Sequence, residues 1–164
     1  MAERGSGWEE LHGRALALAP KVIATTLRPK PAGSIKGKKV AFFSAAPDSA
    51  LEGFRTHLQE AYGADVVHVS GSLADRPKLR TELGSVQAEV FLVELKAAAI
   101  DVVAEAASER GVDVVLAGSD VLTEDGENLD AELLRLAEEA GGVGSTEPPG
   151  AEAPASPAPE RENA

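Results

Sequence analysis

Lys39-Val40-Ala41-Phe42-Phe43-Ser44 is a short apolar run bounded by Gly37 and Pro47, and a helical pattern follows it from Asp48. A run of this length with no polar alternation is what a strand buried on both faces requires, and such strands belong to parallel sheets flanked by helices. The helix after it places Leu51, Phe54, Leu58 and Ala61 on one face, takes Asp48 or Ser49 as its cap with Glu52 close behind, and stops at Gly63.

Outward from this pair the same alternation repeats. Toward the C-terminus it predicts a strand over Val66 to Ser70 and a short helix over Arg76 to Gly84, with Asp75 at its cap and Pro77 in its first turn. A strand over Glu89 to Val93, a helix from Ala97 to Gly111, a strand over Val112 to Ala117 and a last helix over Asn128 to Ala140 come next. Toward the N-terminus, Trp8, Leu11, Ala15 and Leu18 mark a helix closed by Pro20, and Val22 to Leu27 reads as a strand. Arg28-Pro29-Lys30-Pro31-Ala32-Gly33 reads as a loop, because two prolines fix φ and push their neighbours extended. Strands separated by helices of about a dozen residues imply a mostly parallel five-stranded sheet with helices on both faces, a Rossmann-like α/β fold. The expected organisation is a flexible start over 1–7, one α/β domain over 8–140, and a disordered acidic tail over 141–164 rich in Pro, Ala and Gly.

Composition narrows the function. No cysteine is present, which removes disulfides, thiolate metal sites and thiol nucleophiles, and three scattered histidines offer no zinc spacing. The start of the chain lacks the basic-then-apolar order of a secretory signal and no run of 18 apolar residues occurs, so a cytoplasmic protein without membrane contact is expected. The net charge is −11, of which the tail carries −3, so the folded part is acidic and not a nucleic-acid binder. An anion site must therefore be a local cluster of cations in a cleft.

In an open parallel sheet, ligands sit outside the carboxyl ends of the strands. Residues at those ends are Arg28 and Lys30, then Ser44, then Ser70, Ser72, Arg76 and Lys78, then Glu94 and Lys96. Arg28, Lys30, Arg76, Lys78 and Lys96 are candidates for a phosphate cradle, with Ser70 and Ser72 as hydroxyl donors. The competing view of these cations is that they are solvated loop residues. Glu94 and Lys96 set a carboxylate and an amine side by side, suited to orienting or activating a phosphate oxygen, or else to a salt bridge. Lys36, Lys38 and Lys39 precede a strand and belong to the opposite rim. His12 and His57 read as surface residues and His68 as a satisfied strand histidine. Asp120, Glu124, Asp125 and Glu127 form an acidic loop able in principle to hold Mg²⁺, but they match no calcium loop and no metal site is assigned. No Gly-x-x-x-x-Gly-Lys-Ser/Thr loop and no Gly-x-Gly-x-x-Gly opening a helix occurs, and Gly141-Gly142-Val143-Gly144-Ser145-Thr146 has no lysine.

Three stretches carry a family resemblance. They are Val22 to Pro31 with Gly37 to Ser44, Val69 to Arg80 with its Leu73-Ala74-Asp75-Arg76, and Val93 to Val103 with its Glu94-Leu95-Lys96-Ala97-Ala98-Ala99. In order and spacing, residues 8 to 118 resemble the C-terminal half of cyclic 2,3-diphosphoglycerate synthetases. The resemblance implies a ligase that uses ATP and Mg²⁺ to close an intramolecular phosphoanhydride in 2,3-bisphosphoglycerate. It implies a nucleotide-binding N-terminal half as partner, and Arg28, Lys30, Arg76, Lys78, Glu94 and Lys96 turned toward the phosphorylated substrate or that half. Beyond strand five the chain departs from the family pattern at Ala117-Gly118-Ser119-Asp120-Val121. A phosphometabolite-binding module without turnover, and a remnant or homo-oligomerisation domain, are the alternatives.

Overall fold

The computed structural model describes residues 7–19, 21–95, 99–124 and 126–142, and the chain divides into two compact units, Met1–Glu127 and Asn128–Ala164. Within the first unit lie α1 (Trp8–Leu18), β1 (Thr25–Pro31), β2 (Lys39–Phe43), α2 (Asp48–Tyr62) and β3 (Asp65–Ser70). A 3₁₀ turn (Ser72–Ala74), α3 (Arg76–Ser85), β4 (Val90–Glu94), α4 (Ile100–Arg110) and β5 (Asp113–Thr123) complete it. The second unit contributes α5 (Leu129–Gly142), whose first turn is capped by the Asn128 side chain accepting from the Ala131 N–H.

The strands form one α/β sheet in the order β1-β5-β4-β2-β3. β2, β3, β4 and β5 run parallel, as expected, but β1 pairs antiparallel with β5, so the sheet is mixed. Helices cover both faces. On one, Leu58 of α2 joins Val40, Phe42, Val66, Val90 and Leu92; on the other, Leu79 and Leu83 of α3 and Val103 of α4 join Ala41, Phe43, Phe91 and Val93. β2 and β4 are buried on both sides, which is why their sequences show no polar alternation.

The largest departure from the sequence reading is at β1. The strand runs over Thr25–Pro31 instead of Val22 to Leu27, so Arg28, Pro29, Lys30 and Pro31 are ladder residues, not a loop. An edge strand tolerates proline wherever the missing N–H would have faced outward. The Ala32 N–H donates to the Leu116 carbonyl, which aims even-numbered amides at β5 and leaves Pro29 and Pro31 with their nitrogens on the open side. The other edge is closed differently. β3 carries an extra residue at Val67 relative to β2, and Arg55 donates to the Val66 carbonyl, so bulge and guanidinium together blunt it.

Smaller corrections follow. β5 continues to Thr123 where the sequence suggested an end at Ala117, which puts Asp120 inside a strand. The α2 cap is Pro47, with no side-chain bond from Asp48 or Ser49, although Gly63 ends the helix as read, in the left-handed region at φ 65°. Asp75 caps α3 as expected, its carboxylate accepting from the Lys78 N–H. The apolar stripe of α1 is not buried: Leu11 is 60% and Leu18 88% exposed. Of the tail, Gly141 and Gly142 belong to α5 and residues 143–164 lie outside the described residues.

Candidate functional site

From β2 the chain crosses to β3 on one side and then returns to β4 on the other, so the strand order reverses between β2 and β4. The crevice outside the carboxyl ends of such a pair is where open α/β sheets bind ligands. Here those ends are Ser44 and Glu94. Glu94 Oε2 accepts from Ser44 Oγ at 2.8 Å and from the Ala45 N–H at 2.9 Å, while Ser44 Oγ accepts from the Ala46 N–H at 3.0 Å. Ser44 is 1% exposed, so its hydroxyl serves only to fix the carboxylate and the turn into α2. The second oxygen, Oε1, takes no hydrogen bond from the described residues.

Past the rim, β5 and β1 continue as a two-stranded ribbon, since Ala117 is the last β5 residue opposite β4 and Gly118 to Thr123 pair only with β1. The ribbon packs against α2 and encloses a cavity of about 100 Å³ lined by Arg28, Phe42, Ser44, Phe54, Glu94 and Ser119 among others. Arg28 reaches it from β1. Its Nη1 donates to Thr26 Oγ1 at 2.8 Å and to the Leu27 carbonyl at 3.0 Å, and its guanidinium lies against the Cα of Gly53, where an added Cβ would stand 3.4 Å from Nη2. No carboxylate pairs with Arg28 among the described residues. One turn further along α2, His57 has its pKa lowered by burial and then by the Arg28 charge, against Asp120, the Pro29 carbonyl and Glu60.

The other predicted residues occupy different surroundings. Ser70 and Ser72 are buried, the Ser72 N–H donates to Ser70 Oγ, and Ser72 Oγ donates to Glu82 Oε1 at 2.8 Å. Burial opposes the charge of Glu82, yet the Ser70 and Ser72 hydroxyls, with His68 beside them, outweigh it and hold the pKa below the ordinary glutamate value. At 3.5 Å, His68 Nε2 and Glu82 Oε2 are in ion-pair reach without hydrogen-bond geometry. Lys78 Nζ stands 4.0 Å from Glu82 Oε1. Arg76 makes a two-pronged pair with Asp101 of α4, and Lys30 pairs with Asp120 at 3.4 Å. Lys38 pairs with Asp113 at the opposite rim, as the sequence placed it. Lys96 and Asp125 lie outside the described residues.

Arg28 and Glu94 thus share one cavity, while Ser70, Ser72 and Lys78 gather around Glu82. Sequence reasoning missed Thr26, Gly53 and Glu82. Thr26 was legible in principle, being two residues from Arg28 and so on the same side of a strand, had β1 been seen to continue through Arg28. The two halves of the rim touch at Gly71, where a Cβ would stand 2.6 Å from the Ala46 carbonyl oxygen.

No group of three metal-ligating side chains occurs among the described residues, and the sequence holds no phosphate-cradling glycine loop before a helix. No described helix is long and apolar enough to cross a membrane.

Comparison with known proteins gives this geometry a setting. Residues 31–133 match the family described as the cyclic 2,3-diphosphoglycerate synthetase C-terminal domain. Relatives carrying the name cyclic 2,3-diphosphoglycerate synthetase include one from Rubrobacter xylanophilus, 42% identical over 136 residues that cover 81% of this chain and 30% of the relative. Another, from Methanothermus fervidus, is 41% identical over 123 residues, covering 73% of this chain and 27% of the relative. A third, from Thermococcus kodakarensis, is 42% identical over 113 residues, 68% of this chain and 26% of the relative. The chain therefore spans less than a third of the length of these relatives. Through that matched region, it belongs to the family of cyclic 2,3-diphosphoglycerate synthetase C-terminal domains.

Proposed function

We propose that this domain supplies the anion-holding wall of an ATP-dependent synthetase that closes a phosphoanhydride between the two phosphates of 2,3-bisphosphoglycerate, acting in the cytoplasm. ATP and Mg²⁺ are held by a nucleotide-binding part outside this sequence, which itself carries no Gly-x-x-x-x-Gly-Lys-Ser/Thr loop. The observation that carries the reading is the convergence of Arg28 and Glu94 on one cavity at the strand-order reversal. Bringing two phosphates within bonding distance requires that their charge be neutralised, and a guanidinium unpaired with a carboxylate does this best. A cavity of about 100 Å³ suits one phosphoryl group with part of its carbon stem, leaving the other phosphate outward toward the nucleotide-binding part. Glu94, fixed through Oε2, keeps Oε1 for a proton on the substrate. Lys96 is its proposed companion. Ser70, Ser72, Arg76 and Lys78 would contact substrate only by leaving the partners they now hold.

Calorimetric titration of the chain with 2,3-bisphosphoglycerate at low and moderate salt tests this. Binding that weakens with salt and is lost in Arg28→Glu is expected; equal heats in the variant would overturn the assignment. A second reading, a phosphometabolite-binding module without turnover, rests on the lack of a Gly-x-x-x-x-Gly-Lys-Ser/Thr loop in this sequence. It predicts the same titration but no cyclic product when the nucleotide-binding part of a relative and Mg-ATP are added.

A further inference from the structure

Arg28 differs from Lys30, Arg76 and Lys78 in what surrounds it. Those three face Asp120, Asp101 and Glu82. Arg28 is held by neutral groups alone, the Thr26 hydroxyl and the Leu27 carbonyl on one side and the bare Cα of Gly53 on the other. Neutral acceptors fix a guanidinium without cancelling its charge, which preorganises it for an anion. A carboxylate is nonetheless close by. Asp120 is the residue directly opposite Arg28 in the β1–β5 ladder, and facing residues of opposite charge on an antiparallel pair attract each other. Its Oδ2 is instead 3.4 Å from Lys30 Nζ, the diagonal neighbour.

We infer that Lys30 is a positioning residue: by engaging Asp120 it keeps that carboxylate off Arg28, whose guanidinium stays free for an anion on its Thr26–Gly53 seat. The idea rests on the proposed substrate site only for what the anion is. Its structural content, that Asp120 moves to Arg28 when Lys30 is removed, is independent of any ligand. Lys30 is therefore important without touching substrate, in contrast to the direct role that a cation beside a binding site first suggests.

The experiment compares the full chain with Lys30→Met, Asp120→Asn and the double variant, using two readouts. The first is ligand-free: the ¹⁵N resonances of the Arg28 side chain, which respond to a new carboxylate partner. They are expected to shift in Lys30→Met, to return in the double variant, and to stay near wild type in Asp120→Asn. Unchanged Arg28 resonances in Lys30→Met overturn the inference whether or not any ligand binds. The second is the affinity for 2,3-bisphosphoglycerate. Lys30→Met is expected to weaken it about three- to fivefold, the worth of an exposed ion pair set against binding, and the double variant to recover it. Moved resonances with no binding by the wild type would retire the proposed function and leave the inference standing. A double variant as weak as Lys30→Met would show that Lys30 holds the anion itself, against the inference. Thr26→Val tests the seat: about tenfold weaker binding is expected from the loss of an acceptor to a charged group, with Thr26→Ser restoring it.

Discussion

Around Ser44 and Glu94 the rim of the sheet leaves an arginine without a carboxylate among the described residues, whereas around Ser70 and Ser72, on the neighbouring strand, the serines and Lys78 gather on one glutamate. Both stretches have the same chemistry on paper, with hydroxyls at strand ends, a glutamate and basic residues nearby. The difference lies in where the glutamate comes from. Glu94 ends a strand and stops at the rim, bonded through one oxygen to the turn below it. Glu82 belongs to α3 and reaches back to the 71–74 turn, so it takes the Ser72 hydroxyl and stands within ion-pair reach of Lys78. One half of the rim holds the fold and the other is kept open, and composition alone would not separate them.

The sharpest way to break this division is at the point where the halves meet. In Gly71→Ala the new Cβ must displace the Ala46 backbone, so destabilisation of about 2 to 3 kcal/mol is expected from forced overpacking, measured by urea denaturation. Because Ala46 also lines the cavity, phosphometabolite binding should fall as well. A midpoint within error of wild type would mean that the two loops do not bear on each other. Next in size is Glu82→Ala, which strands the buried Ser72 hydroxyl and should cost about 2 kcal/mol while leaving binding at Arg28 intact. Glu82 also predicts a pH effect. Its folded pKa lies below the unfolded value, so its stabilisation is present above the ordinary glutamate range and is lost as pH falls through the lower folded value. Wild type should lose stability there, and Glu82→Gln should lose less.

A smaller effect is expected at His57. Its folded pKa lies below 6.5, so the unfolded chain takes up the proton first, and stability falls as pH drops from neutrality through 6.5 toward the folded value. His57→Gln should flatten that slope in thermal melts between pH 7.5 and 5, and an unaltered slope would assign it to another group. The smallest effect belongs to Arg76→Ala. Its partner Asp101 is exposed, so neither the urea midpoint nor binding should change measurably. Lost binding would place Arg76 on the open half of the rim after all.

How far the sequence reveals this molecule depends on whether the deciding interaction is local. β2 and the body of α2 were legible because an unbroken apolar run and a helical stripe ending in glycine each state their environment within a dozen residues. Ser44 and Glu94 were found by the strand-end rule, which needs only the strands. The start of β1 was legible, but its continuation through Arg28 to Pro31 was not, because two prolines argue for a loop unless it is known that the strand sits at an edge, and edge position is fixed by pairing with a distant segment. Gly118, Ser119 and Asp120 look like turn residues for the same reason, and their strand conformation comes from β1. Arg28 was read as a loop residue and is a ladder residue of β1. Glu82 escaped notice because nothing about a glutamate on a short helix announces that it will fold back beneath two serines.

The pairing of β1 with β5 also sets an order of events during synthesis. β1 is made before β5, its partner in the described sheet, which lies about ninety residues later, and at ribosomal speed that is a wait on the order of 5 to 20 seconds. Throughout that interval an extended segment with open edges would be free to join any other chain. Pro29 and Pro31 remove two amide donors from one side of it, and Arg28 and Lys30 keep it solvated. The proline-rich composition that disguises the strand on paper is thus what protects it in the nascent chain. Pulse-labelled amides of β1 should be the last in the sheet to gain protection when the protein refolds.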